Sequence, residues 1–125
     1  MKKQVFLVLM TLLPMVASAD TVEIDGIYYN LDSEKKEAEV TTNPSKYTGT
    51  LIIPEAIEYE GNNYDVTSIG NSAFLSCWYL TSIDIPNSVK SIGEKAFQSC
   101  NGLVTAVIGD GVATIGENAF YYCSA

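Results

Sequence analysis

Ser68-Ile69-Gly70-Asn71-Ser72-Ala73-Phe74, Ser91-Ile92-Gly93-Glu94-Lys95-Ala96-Phe97 and Thr114-Ile115-Gly116-Glu117-Asn118-Ala119-Phe120 are versions of one heptapeptide. The step between them is 91 − 68 = 23 and again 114 − 91 = 23. Cys77, Cys100 and Cys123 keep the same step, as do Val66, Val89 and Val112. Self-similarity at a fixed step marks a solenoid, whose units are too small to close a core alone and bury their apolar sides on one another.

Within one unit the apolar positions are Val66, Ile69, Ala73, Phe74, Cys77, Leu80, Ile83 and Ile85. The next unit has Val89, Ile92, Ala96, Phe97, Cys100, Leu103, Ala106 and Ile108. Ile83 and Ile85 alternate with polar residues, as in a strand with one buried face. Ala73, Phe74 and Cys77 lie one and four apart, a spacing that predicts a short helical turn. Gly70, Gly93 and Gly116 mark the corner before it, and Pro86 closes the strand, with Gly109 in its place one unit later. Each turn therefore reads as strand, corner, short extended piece, corner, helical turn. The three cysteines share one phase and should stack inside as small hydrophobes. Parallel Cβ vectors at such positions do not suit disulfides.

Upstream, Val22-Glu23-Ile24, Asp25-Gly26 and Ile27-Tyr28-Tyr29-Asn30-Leu31 form a hairpin signal, since Asp-Gly suits a tight turn with positive φ. Glu37 to Thr41 alternates as a further strand, and Asn43-Pro44-Ser45 breaks it. Leu51-Ile52-Ile53-Pro54 matches Ile83-Asp84-Ile85-Pro86 at a separation of 86 − 54 = 32, one period of 23 plus nine. The nine extra residues are Glu58 to Val66, with Gly61-Asn62-Asn63 as their turn. At the very start, Met1-Lys2-Lys3, the apolar run Val5 to Leu13 and Ala17-Ser18-Ala19 have the order of a cleavable export signal. The expected organisation is a signal peptide over 1–19, a β-rich N-terminal cap with a degenerate first repeat over 20–66, and repeats over 67–125. The array offers two complete turns and the start of a third, leaving Ile115, Ala119 and Phe120 partly uncovered. A truncated array, or end-to-end contact through that rung, is the expectation.

Composition narrows the function. The net charge is −8, and without Lys2 and Lys3 the cations fall to 7 − 2 = 5 against 15 acids, or −10. Nucleic acids and anionic membranes need clustered cations, which such a chain does not offer. The apolar start is too short to span a membrane, and nothing in the mature chain reads as a span. With no histidine, imidazole acid–base catalysis and histidine-assisted nucleophiles are excluded. A cysteine spacing of 23 fits no zinc motif. Gly109-Asp110-Gly111 lacks the lysine and following helix of a phosphate loop. The acids fall on repeat-variable positions, so the reading is non-enzymatic, with no cofactor.

A step of 23 lies in the range of leucine-rich repeats. The stretch Leu80-Thr81-Ser82-Ile83-Asp84-Ile85-Pro86-Asn87-Ser88-Val89-Lys90-Ser91-Ile92-Gly93-Glu94-Lys95-Ala96-Phe97-Gln98-Ser99-Cys100 resembles the BspA-type leucine-rich repeat in particular. The fold expected is thus a leucine-rich-repeat solenoid of short strands and short helical turns, preceded by an N-terminal β-hairpin cap. The resemblance implies a secreted or cell-surface bacterial protein that attaches to host or bacterial surface proteins or glycans. No binding residue follows from it, because the matching residues are core residues. The surface supplies two candidates. Ser82, Asp84, Thr105 and Val107 alternate with the buried strand positions and line an open face. Trp78, Tyr79, Tyr121 and Tyr122 are aromatics at positions where other repeats carry smaller or polar residues, and exposed Trp and Tyr are enriched at binding hot spots. The competing class is a structural spacer or display scaffold whose effector lies elsewhere.

Overall fold

The computed structural model describes residues 21–124, so the expected signal peptide lies outside the described residues. The strands are β1 (Thr21–Ile24), β2 (Ile27–Asp32), β3 (Glu37–Thr41), β4 (Gly49–Ile52), β5 (Ala56–Tyr59), β6 (Asn62–Ile69), β7 (Leu80–Ile85), β8 (Ser91–Ile92), β9 (Thr105–Ile108) and β10 (Thr114–Ile115). They build two sheets, to which the successive coils of the stack contribute strands in turn. One sheet runs β1-β2-β3-β6-β8-β10, with β5 paired to β6, and the other runs β4-β7-β9. The pairs β3–β6, β6–β8, β8–β10, β4–β7 and β7–β9 are parallel, as successive turns of one solenoid must be.

The segment expected to be a helical turn is not helical, and the described residues contain no helix. Ser72 (φ 60°) and Ser76 (φ 59°) both sit in the left-handed region, as do Lys95, Ser99, Asn118 and Tyr122 at the same phases. Two left-handed residues four apart interrupt any run of right-handed dihedrals. Hydrogen bonding then alternates along the segment. Ala73, Leu75 and Cys77 donate within the turn to Gly70, Ser72 and Phe74. Ser72, Phe74 and Ser76 donate across to the carbonyls of Glu94, Ala96 and Gln98 on the next rung. The third side of each coil is therefore a ladder as well, kinked at its left-handed residues, and it buries Ala73, Phe74 and Cys77.

The first coil starts earlier than the match at Leu51 indicates. β3 pairs in parallel with β6, placing Ala38 beside Val66 and Val40 beside Ile69. Gly70 then donates to the Val40 carbonyl at 2.9 Å, as Gly93 does to Ile69 at 2.8 Å. After the Asn43–Lys46 turn, Tyr47 takes the place of the repeat phenylalanine. Its ring centroid lies 4.6 Å from that of Phe74, which stacks on Phe97 at 4.7 Å, which stacks on Phe120 at 5.0 Å. The Tyr47 hydroxyl donates to the Thr41 carbonyl at 2.7 Å and accepts from the Tyr28 amide at 3.0 Å, so the buried polar tip is satisfied. β4 completes the coil, with Leu51 opposite Ile83 and Ile52 opposite Asp84.

The inserted residues form a second hairpin, β5–β6, with Tyr59 opposite Asn62. Its turn is Glu60-Gly61, both at positive φ, rather than the expected Gly61-Asn62-Asn63. The core runs unbroken from Ile27 and Tyr29 through Val40, Tyr47, Ile53, Ile69 and Phe74 to Phe97 and Cys100. Two positions expected inside are not: Ala106 and Ile108 are exposed, because β9 is the last strand of its sheet among the described residues and has no rung over it. Ile115 is exposed and Phe120 half-buried for the same reason, whereas Ala119 is buried.

Candidate binding surface

The strand face is built by register. Thr50, Ser82 and Thr105 stand side by side across β4, β7 and β9, and Ile52, Asp84 and Val107 form a second column beside them. Their neighbours Ile53, Ile83 and Ile85 point inward and are buried, which sends these six outward. Adjacent strands lie about 4.8 Å apart, so each column presents three side chains over roughly 10 Å on a rigid ladder. Four of the six, Ser82, Asp84, Thr105 and Val107, are those the alternation singled out. Thr50 and Ile52 belong with them and were missed, because their strand belongs to the degenerate coil. Ile52 and Val107 are 67% and 52% exposed, flanking Asp84, so the second column is an acid between two apolar groups.

The aromatic set does not form one cluster. Trp78 and Tyr79 are both exposed, as are Tyr121 and Tyr122, whose rings pack at 4.2 Å and 35°. Tyr121 occupies the phase of Leu75, two rungs from Trp78, which separates the pairs by roughly 10 Å along the stack. The Asn101-Gly102 replacement of Trp78-Tyr79 also has a cause. A Cβ on Gly102 would lie 2.6 Å from the Trp78 carbonyl oxygen, so the rung below the Trp-Tyr corner must carry glycine there.

The cysteine ladder is interior. All three thiols are free, with Cys77 and Cys100 buried and Cys123 half-buried. The Cys100 thiol donates to the Phe74 carbonyl and the Cys123 thiol to the Phe97 carbonyl, both at 3.0 Å, so each thiol ties its rung to the one before. Burial pushes the Cys100 thiol up to about 12, and burial likewise raises Cys77 and Cys123. Burial also raises the phenols of Tyr29 and Tyr47 to about 12. The folded chain thus holds protons that the unfolded chain releases from about pH 9 for thiols and about pH 10 for phenols. Stability should be fully present below about pH 9 and fall as pH rises from there toward about 12. Urea midpoints measured across that range check this, and a midpoint that holds steady to about pH 12 contradicts it. In the folded protein at about pH 8, iodoacetamide should modify Cys123 well before Cys77 or Cys100.

With the coils and their phases established, comparison with known proteins is informative. The family model described as "BspA type Leucine rich repeat region (6 copies)" matches residues 55–125. The chain belongs to the BspA-type leucine-rich repeat family. Similar solved structures agree with this. A leucine rich cell surface protein from Faecalibacterium prausnitzii is 29% identical with a TM-score of 0.72, over 86% of this chain and 29% of that one. A leucine-rich repeat protein from Bacteroides ovatus is 37% identical with a TM-score of 0.71, over 82% of this chain and 27% of that one. One from Bacteroides capillosus is 30% identical with a TM-score of 0.70, over 78% of this chain and 71% of that one. The chain thus spans less than a third of the length of the first two structures. A comparison with curated protein sequences gave no match. Among the described residues no helix is long and apolar enough to cross a membrane.

Proposed function

We propose that this BspA-type repeat chain is a non-catalytic binding module of an exported bacterial surface protein, used for adhesion to host or bacterial surface proteins or glycans. The recognition surface is the outward face of β4, β7 and β9. What supports this is the in-register pair of columns, Thr50-Ser82-Thr105 and Ile52-Asp84-Val107. They hold hydroxyl, carboxylate and apolar groups at fixed spacing on a scaffold that spends no entropy in ordering them. Trp78 and Tyr79 flank that face as a second contact. In the same reading residues 1–19 direct export and 20–66 cap the stack, with β1 and β2 covering the first coil through Ile27, Tyr29 and Leu31, while 67–125 carry the repeats.

The purified chain should bind at least one member of a panel of extracellular-matrix proteins, bacterial surface proteins and glycans. Asp84→Lys should weaken that binding about tenfold, the loss of one charge-assisted contact, without moving the urea midpoint, since Asp84 is exposed. Binding to nothing on the panel, or binding indifferent to Asp84→Lys and Val107→Lys, overturns the reading and favours a spacer or display scaffold.

A further inference from the structure

The two sheets end unevenly at the N-terminal side. Beyond the first coil, the β3 sheet continues through β2 and β1, whereas the facing sheet stops at β4. Among the described residues the strand position beside β4 is therefore vacant, opposite β2, and it is a groove of about 680 Å³. Its apolar walls include Ile27 and Tyr29 of β2, Leu51 of β4 and Ile57 of β5. Its charged lining residues are Asp25 and Glu58, both exposed, and no lysine lines it.

The edge of β4 supplies backbone groups to this groove. Gly49 donates to the Tyr79 carbonyl and Ile53 to the Asp84 carbonyl, so the odd-numbered residues of this segment bond toward β7. In a parallel ladder alternate residues turn both their N–H and C=O to the same neighbour. Thr50 and Ile52 consequently direct theirs to the vacant side, where both residues line the groove. A row of unpaired strand groups is a template for another strand.

We propose that this groove is a strand-addition site that takes an extended peptide from another protein, with basic and apolar residues alternating. Added beside β4, such a peptide pairs its backbone with Thr50 and Ile52. It sends every second side chain inward onto Ile27, Tyr29 and Ile57, in the manner of peptide augmentation of a sheet edge. The intervening side chains lie at the rim with Asp25 and Glu58, on a chain of net charge −8, which selects lysine or arginine over acids there. This site rests on the edge of β4 and shares Thr50 and Ile52 with the outward strand face proposed above, but it uses their backbone groups rather than their side chains. The effect of Asp84→Lys on panel binding therefore tests the face alone, and peptide N-methylation tests the edge alone.

The test is titration of the purified chain with an acetylated, amidated seven-residue peptide alternating lysine with valine, followed by amide chemical shifts and fluorescence anisotropy. The amides of Thr50 and Ile52 should shift on binding. The same peptide with glutamate for lysine should bind at least about tenfold more weakly, as should an Asp25→Asn, Glu58→Gln double variant. Ile52→Pro removes an outward N–H and leaves the β7 ladder intact, a position where a strand tolerates proline, and should weaken binding about tenfold. A peptide N-methylated at alternate amides should lose binding to a similar degree, and it probes the backbone pairing without altering the protein. Failure of the lysine–valine peptide to bind, equal binding of the glutamate peptide, or unchanged Thr50 and Ile52 amides overturns the proposal. Concentration-dependent pairing of β4 with a second copy of the chain, blocking the peptide, overturns it as well.

Discussion

Phe97→Ala is expected to remove about 3–5 kcal/mol of folding stability, the cost of truncating a fully buried aromatic that the neighbouring backbone cannot close over. Phe97 is completely buried, and its ring is stacked between Phe74 at 5° and Phe120 at 4°. Its backbone N–H and C=O are also both committed to the following rung, the N–H donating to the Ala119 carbonyl at 2.7 Å and the carbonyl accepting from the Cys123 thiol. Those bonds prevent the rungs from sliding together to fill the hole. Against a total of about 5–15 kcal/mol for an ordinary domain, such a loss leaves the variant marginal. Phe120→Ala is the internal comparison. That ring is half-buried and stacks on one face, so its loss should cost less than half as much. Urea unfolding followed by tyrosine fluorescence separates the two, and equal costs would show that the ladder does not act as one stack.

Gly93→Ala carries the second large effect, expected at about 3 kcal/mol, the upper range for forcing an extra carbon into a packed site. No positive φ is involved at Gly93. Space alone decides it: a Cβ there would lie 2.6 Å from the Asn71 amide nitrogen and 2.8 Å from the Gly70 carbonyl carbon, and would press on Asn71 Oδ1. That oxygen accepts from the Glu94 amide at 2.9 Å, so relief of the clash breaks a bond between rungs. Gly26→Ala makes the opposite case. Gly26 has φ +85° and open space around its Cβ position, so alanine adds only backbone strain and costs about 1–2 kcal/mol. Thermal or urea midpoints should rank Gly93→Ala clearly below Gly26→Ala. The reverse order would mean that rung spacing is softer than the close approach implies.

These two residues also show what the sequence could and could not convey. Gly93 and Phe97 recur with Gly70, Phe74, Gly116 and Phe120 because stacking makes every rung meet the same constraint, and repetition is readable without a structure. The left-handed dihedrals at Ser72 and Ser76 left no such mark. Serine is indifferent enough that one buried pattern, Ala73-Phe74-Cys77, fits a helix and a kinked ladder equally. The first coil escaped for another reason. Val40 pairs with Ile69 at a separation of 69 − 40 = 29, because the nine-residue insertion is partly offset by a shorter path from Val40 to Leu51. Tyr47 thus stands off the period while filling the phenylalanine position. Of the proposed binding face, the alternation in β7 and β9 picks out Ser82, Asp84, Thr105 and Val107 as outward positions. Its continuation onto Thr50 and Ile52 depends on that same hidden coil. The groove beside β4 had no sequence signature at all, since it arises from two sheets ending at different strands.

The alternating hydrogen bonds described for the turn side have a mechanical meaning. The strands on two sides, and every second amide of the kinked ladder on the third, direct their bonds from rung to rung along the solenoid axis. Tension applied between the ends of the stack pulls parallel to those bonds and loads one rung boundary at a time, like peeling tape. Each released coil of 23 residues adds roughly 80 Å of slack. A tether built this way lengthens in small steps under load and leaves the rungs behind the peeling front intact.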